Sequence, residues 1–108
     1  QGDDILLVGD KKRIAMVIQN YLSNAVKHAL INSTIIIKIK ENEFSIENKG
    51  KQIDENRMDS IWESFVSDDQ KGTGLGLAIV RNILELHEMS YGVHNLEDGV
   101  EFYFRWKK

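Results

Sequence analysis

Hydrophobic positions along the chain switch between two periods, and each switch marks an element. Residues 5–8, ILLV, are a short apolar run of strand type, broken by Gly9 and by Asp10, a good helix N-cap. From Lys11 to about Ala29 the period becomes helical, with Ile14, Ile18, Tyr21, Leu22, Ala25 and Ala29 on one face. Asn32-Ser33 closes that segment. STIIIKIK (33–40) and EFSIE (43–47) are β-branched and alternating, and with Glu41-Asn42 between them they read as a hairpin. Residues 48–71 then turn polar, with apolar side chains only at Ile53, Met58, Ile61, Trp62, Phe65 and Val66. This predicts a long loop with a helical turn inside it, and long loops in compact domains usually carry function. LGLAIVRNILELH (75–87) is a second strong helix. YGVHNL (91–96) and VEFYFRW (100–106) form a closing hairpin around Glu97-Asp98-Gly99. The order β-α-β-β-loop-α-β-β predicts an α+β fold, with helices on one face of a mixed, mostly antiparallel sheet.

Bulk properties narrow the function classes. At 108 residues one domain is expected, with 42% hydrophobic and 29% charged residues, an ordinary globular composition. A net charge of −3 argues against a general nucleic-acid binder. The chain has no cysteine, which removes disulfides and thiolate metal sites and fits a reducing compartment. No apolar run reaches the length of a membrane span.

Three stretches carry candidate chemistry. In KGTGLGLAIV (71–80), Gly72, Gly74 and Gly76 alternate with Thr73 and Leu75 and lead through Leu77 into the second helix. A helix N-terminus presents unpaired N–H groups and a partial positive charge, and glycines allow close backbone approach to an anion. The spacing is neither a P-loop nor a dinucleotide fingerprint. Phosphate cradle and plain flexible connector are both open on this feature alone. In NYLSNAVKH (20–28), Asn20, Asn24 and Lys27 lie at i, i+4 and i+7 on one stripe, expected well away from the apolar face. Two carboxamide oxygens and an ammonium suit a hydrated Mg²⁺ with phosphate oxygens; a solvated helix face is the plain alternative. Asparagine is a poor helix former, so two in mid-helix ask for a reason. In ENKGKQID (47–54), Asn48 is placed to aim its amide into a pocket and Gly50 to admit a ligand to the backbone; an ordinary strand-to-loop turn is the other reading.

Taken in order, these stretches resemble the motifs of the catalytic, ATP-binding domain of bacterial two-component sensor histidine kinases. NYLSNAVKH resembles the N box, ENKGKQI the first glycine box, IWESFVSDD (61–69) the F box with Phe65 as its aromatic, and GTGLGLAIV the second glycine box. The resemblance covers nearly the whole chain. It implies the Bergerat fold: a two-layer α/β sandwich of about five strands and about three helices, with an ATP lid from about Asp54 to Lys71. It further implies ATP and Mg²⁺ as ligands. Asn24, supported by Asn20, would hold the metal, Lys27 would contact phosphate, and His28 would flank the polyphosphate. Asn48, Gly50 and Ile53 would line the base end. Phe65 and Trp62 would anchor the lid, and Gly72, Thr73, Gly74, Leu75, Gly76 and Leu77 would fold it over the phosphates.

The resemblance carries a kinetic expectation as well. In related hydrolases of this fold, such as DNA gyrase, a glutamate at the position of Asn20 activates water. An amide is no general base near neutral pH, so slow ATP hydrolysis is expected. The chain departs from the family pattern at three places. Asn48 stands where an aspartate usually accepts from the adenine amino group, Gln52 replaces a glycine, and Val100 follows Gly99 where a threonine is usual. Together they imply modest ATP affinity.

His28, His87 and His94 are the only histidines, and none reads as the phosphoacceptor, which this family places on a separate dimerisation domain. The chain is therefore expected to be a monomeric fragment of a longer kinase. That kinase would be membrane-anchored with this domain cytoplasmic and making no membrane contact itself, serving a response regulator. The alternatives are a nucleotide-binding regulatory module of the same fold, as in a pseudokinase or an anti-sigma-type serine kinase, and a gyrase-like ATPase, against which Asn20 argues.

Overall fold

A computed structural model describes residues 11–63 and 76–107. The elements are α1 (Lys11–His28), β1 (Ile36–Lys40), β2 (Glu43–Lys49), α2 (Gly76–Leu86), β3 (Ser90–Leu96) and β4 (Gly99–Arg105), with short 3-10 helices at Glu55–Arg57 and Ser60–Trp62. Four strands form one sheet in the order β1-β2-β4-β3, every neighbouring pair antiparallel. The α+β architecture expected from the pattern is present. Among the described residues the sheet has four strands and no parallel pair, against the expected five in a mixed sheet. Among the described residues there are two α-helices against the expected three or so, with two short 3-10 helices between β2 and α2. The expected strand at 5–8 lies outside the described residues.

Strand alternation sets the inner face of the sheet. Phe44, Ile46 and Asn48 of β2 stand beside Phe104, Phe102 and Val100 of β4 in register, and these stand beside Tyr91, Val93 and Asn95 of β3. Two of these three cross-strand rows are apolar. The third, at the end of the strands, is Asn48–Val100–Asn95. Against this face α1 presents Ile14, Val17, Tyr21 and Ala25, and α2 presents Val80, Ile83 and Leu84, all buried. Each large apolar side chain taken from water here contributes roughly 1.5–3 kcal/mol.

Tyr21 is the centre of the core. It is fully buried, packs against the rings of Trp62, Phe102 and Phe104, and donates its hydroxyl to the Tyr103 carbonyl at 3.0 Å. Burial pushes its pKa well above the usual tyrosine range, so it stays neutral. Trp62 closes the cluster edge-on to Tyr91 and Phe102. Trp62, expected to help anchor the lid, is a core residue at the start of the long loop.

Candidate functional site

Two glycines locate the site, because each marks where another element comes down on α1. A Cβ on Gly76, the first residue of α2, would sit 3.1 Å from Asn20 Oδ1. A Cβ on Gly50, just after β2, would sit 2.6 Å from the His28 carbonyl oxygen. Asn20 and His28 are eight residues apart, about 12 Å along a helix. Asn24 and Lys27 lie between these two contacts.

At the α2 end, Asn20 is held by its own helix. Its Nδ2 donates to the Met16 carbonyl at 2.8 Å, which leaves Oδ1 facing the first turn of α2. That first turn has N–H groups without intrahelical acceptors. Asn24, one turn further along, makes no hydrogen bond among the described residues. Both asparagines are half-buried rather than solvated, whereas Lys27 and His28 are exposed. The stripe therefore runs along the shoulder of the apolar face and not well away from it, as the sequence suggested. The reason is α2, which packs along α1 and covers one flank.

The opposite end is closely wired. The Leu30 N–H donates to the Lys49 carbonyl at 2.9 Å, fixing the exit of α1 to the end of β2. Gly50 has φ +157°, a region that L side chains rarely adopt, and its N–H donates to the Asp98 carbonyl at 3.0 Å. Lys49 Nζ meets Asp98 Oδ2 at 2.6 Å, and this partner holds the Asp98 carboxyl below its usual range. The Gln52 amide donates to the Leu96 carbonyl. Asn95 takes both sides of the Ile53 backbone: the Ile53 N–H donates to Oδ1 at 2.9 Å, and Nδ2 donates to the Ile53 carbonyl at 2.8 Å. Segment 49–53 is thereby zipped to the tip of the β3–β4 hairpin.

Asn48 sits beneath this turn, 2% exposed. Its hydrogen bond is a long one, Nδ2 to the Lys49 carbonyl at 3.4 Å. A carboxamide offers two donors and an acceptor, so capacity remains for a ligand. Beside it Val100 contributes no polar group and is buried.

The fold thus brings together Asn20, Asn24, Lys27, His28, Asn48, Gly50, Ile53, Gly76 and the adjoining Leu77. Phe65, Gly72, Thr73, Gly74 and Leu75 lie outside the described residues. Sequence reasoning missed Asn95, and it treated Gln52 only as a lost glycine. The one signal available for Asn95 was an inward-facing polar residue in an otherwise apolar alternation, which asks for a partner. Neither His87 nor His94 belongs to the site. His87 Nδ1 bonds the Ile83 carbonyl at 2.8 Å at the end of α2, and His94 stacks on Tyr103 on the outer sheet face.

The donor set fits a hard divalent cation only in part. No group of three or more His, Cys, Asp or Glu side chains among the described residues forms a metal cage. Asn20 and Asn24 supply two neutral oxygens on one stripe, enough for an ion whose remaining ligands come from phosphate and water.

Comparison with known proteins gives the family. Residues 9–108 match the family of histidine kinase-, DNA gyrase B- and HSP90-like ATPases. The chain is 32% identical to the sensor protein BasS of Escherichia coli over 97% of its own length and 31% of that protein. It is 31% identical to the sensor histidine kinase CssS of Bacillus subtilis over 93% of its length and 23% of that protein. The chain thus spans about a quarter to a third of these curated relatives. The nucleotide-free catalytic domain of histidine kinase ThkA superposes with a TM-score of 0.79 at 34% identity, over 89% of this chain and 66% of that one. These kinase relatives favour the catalytic reading over a regulatory module. The chain belongs to the histidine kinase-, DNA gyrase B- and HSP90-like ATPase family, as a catalytic domain of the sensor histidine kinase type.

Proposed function

We propose that this domain binds Mg²⁺-ATP along α1 and passes the γ-phosphoryl group to a histidine on a separate dimerisation domain, for relay to a response regulator. The observation that carries the reading is the α1 strip between Gly50 and Gly76, with two half-buried amides and a lysine in it. The base enters beside Asn48 and Ile53, under the turn that Asn95 holds. The triphosphate runs toward Asn24 and the first turn of α2. Magnesium, when bound, supplies charge neutralisation on the phosphates.

This chain's own residues mostly position. Asn24 and Asn20 offer oxygen ligands, Lys27 offers an ammonium to phosphate, and the α2 N–H groups favour anionic oxygen. Asn20 cannot take a proton from water, so the bound nucleotide persists until an acceptor histidine arrives. The parent protein is proposed to be a membrane-anchored sensor with this domain on the cytoplasmic side. Among the described residues no helix is long and apolar enough to cross a membrane.

The test uses γ-labelled ATP, Mg²⁺ and a separately prepared histidine-bearing helical hairpin from a sensor kinase. Acid-labile label on the hairpin, absent with Asn24→Ala, is the expected result. Rapid ATP hydrolysis with no label transferred would contradict the proposal.

A further inference from the structure

The third cross-strand row of the inner face is Asn48–Val100–Asn95, two carboxamides flanking a buried valine. The two amides are used differently. Asn48 makes one long bond to the neighbouring carbonyl, whereas Asn95 makes two short ones to a single residue of another segment. A side chain that engages both the N–H and the carbonyl of Ile53 fixes the two peptide units that flank its Cα, in orientation as well as position. Gln52 adds a second tie to the same hairpin tip, one residue upstream. Glycine, usual in the family at that position, has no side chain to make such a tie.

We propose that Asn95, assisted by Gln52, is a positioning residue for nucleotide binding. It sets the turn carrying Ile53 in place at the base end before any ligand arrives. This inference rests on the proposed ATP reading of the site and concerns only its base end. Val100 offers no hydroxyl there, which leaves Asn48 as the polar side chain beneath the turn, so the shape of the base pocket depends the more on the turn being held. The triphosphate end shares none of these bonds: Asn20 is held by Met16, and Asn24, one turn further along α1, makes no hydrogen bond to the turn or the hairpin tip among the described residues. Loosening the turn should therefore weaken recognition of a base and leave recognition of a triphosphate alone.

The experiment is calorimetric titration of the whole chain with Mg²⁺-ATP and, separately, with Mg²⁺-tripolyphosphate, which has the phosphates and no base. Asn95→Ala should weaken ATP binding about tenfold, the scale of a lost net hydrogen bond. Tripolyphosphate affinity should be unchanged. Asn95→Asp keeps the acceptor for the Ile53 N–H but loses the donor to its carbonyl, and should weaken ATP binding as well. Should Asn95→Ala not fold, Gln52→Ala tests the same clasp with a smaller loss. Amide exchange at Ile53 should accelerate in each variant. Equal ATP affinity in parent and variants would overturn the inference while leaving the ATP reading intact. Equal losses for ATP and tripolyphosphate would also overturn it, showing a general structural role. A parent that binds neither ligand would contradict the proposed function, and this inference with it.

Discussion

The two ends of the α1 strip are built in opposite ways. At the Gly50 end, segment 49–53 spends its hydrogen bonds on other parts of the protein, chiefly the hairpin tip at 95–98. Toward the Gly76 end, both amides are half-buried, Asn20 turns its oxygen to the start of α2, and Asn24 makes no hydrogen bond among the described residues. The contrast suits a ligand with one rigid end and one highly charged end. A planar base is best met by a pocket already in shape, because preorganisation avoids an ordering cost on binding. A hydrated metal with phosphates needs groups that are still free to engage.

The sharpest way to break this comparison is at Asn24. Asn24→Ala should cut Mg²⁺-dependent ATP affinity by about two orders of magnitude, roughly 3 kcal/mol, with a nearly unchanged melting temperature, since the side chain makes no hydrogen bond among the described residues. Calorimetry and thermal melting on one preparation check both halves. A large drop in stability would mean that the phosphate end is structural after all.

Gly50→Ala should do the reverse and strike stability directly. The new Cβ would meet the His28 carbonyl oxygen at 2.6 Å, with the backbone at φ +157°. A cost of about 1–3 kcal/mol is expected for such strain. That lowers the melting temperature by roughly 4–8 °C per kcal/mol in a domain of this size. Gly76→Ala, whose Cβ meets only an amide oxygen at 3.1 Å, should melt close to the parent but bind ATP several-fold more weakly. Equal melting temperatures for the two variants would erase the distinction between the ends.

Asn48→Asp should sharpen the base end. A carboxylate accepts from an adenine amino group with charge assistance, so ATP affinity should rise by about fivefold, near 1 kcal/mol. The same change buries a charge at a site that is 2% exposed, so the ligand-free domain should be less stable. Unchanged nucleotide affinity would remove Asn48 from the site.

The smallest effect belongs to a control away from both ends. Tyr91 donates to Glu85 at 2.6 Å, and burial together with this bond pushes its pKa from 10.0 up to about 12. The folded state favours the neutral phenol. That contribution is complete below pH 10 and is lost as the pH climbs through 12. Urea midpoints between pH 9 and 12 should fall less steeply for Tyr91→Phe than for the parent. Identical slopes would contradict the assignment.

Much of this was legible from periodicity. The alternation in 43–47 and 100–106 fixes which residues face inward, and the helical spacing of Ile14, Tyr21 and Ala25 gives the buried stripe of α1. What pattern reading cannot supply is the flank of a helix. Leu22 has the right spacing for the apolar face but is 39% exposed, while Val17, which the spacing passed over, is fully buried. The difference depends on where α2 lies, and that is tertiary information. The same holds for the clasp. Asn95 and Ile53 are 42 residues apart, so their bonds exist only once β3 has paired with β4 and the turn after β2 lies against the hairpin tip. The motif residues were readable because they cluster locally; Asn95 was not, because its partner is remote.

The central claim is that one ligand bridges the two ends of the strip. Its most direct test is an NMR titration that follows the asparagine side-chain amides as Mg²⁺ and a non-hydrolysable ATP analogue are added. The account predicts that Asn20, Asn24 and Asn48 shift together along one binding curve, and that the first two stop shifting when Mg²⁺ is chelated. Shifts confined to the outer sheet face around His94 and Tyr103, with those three amides unmoved at saturation, would contradict it.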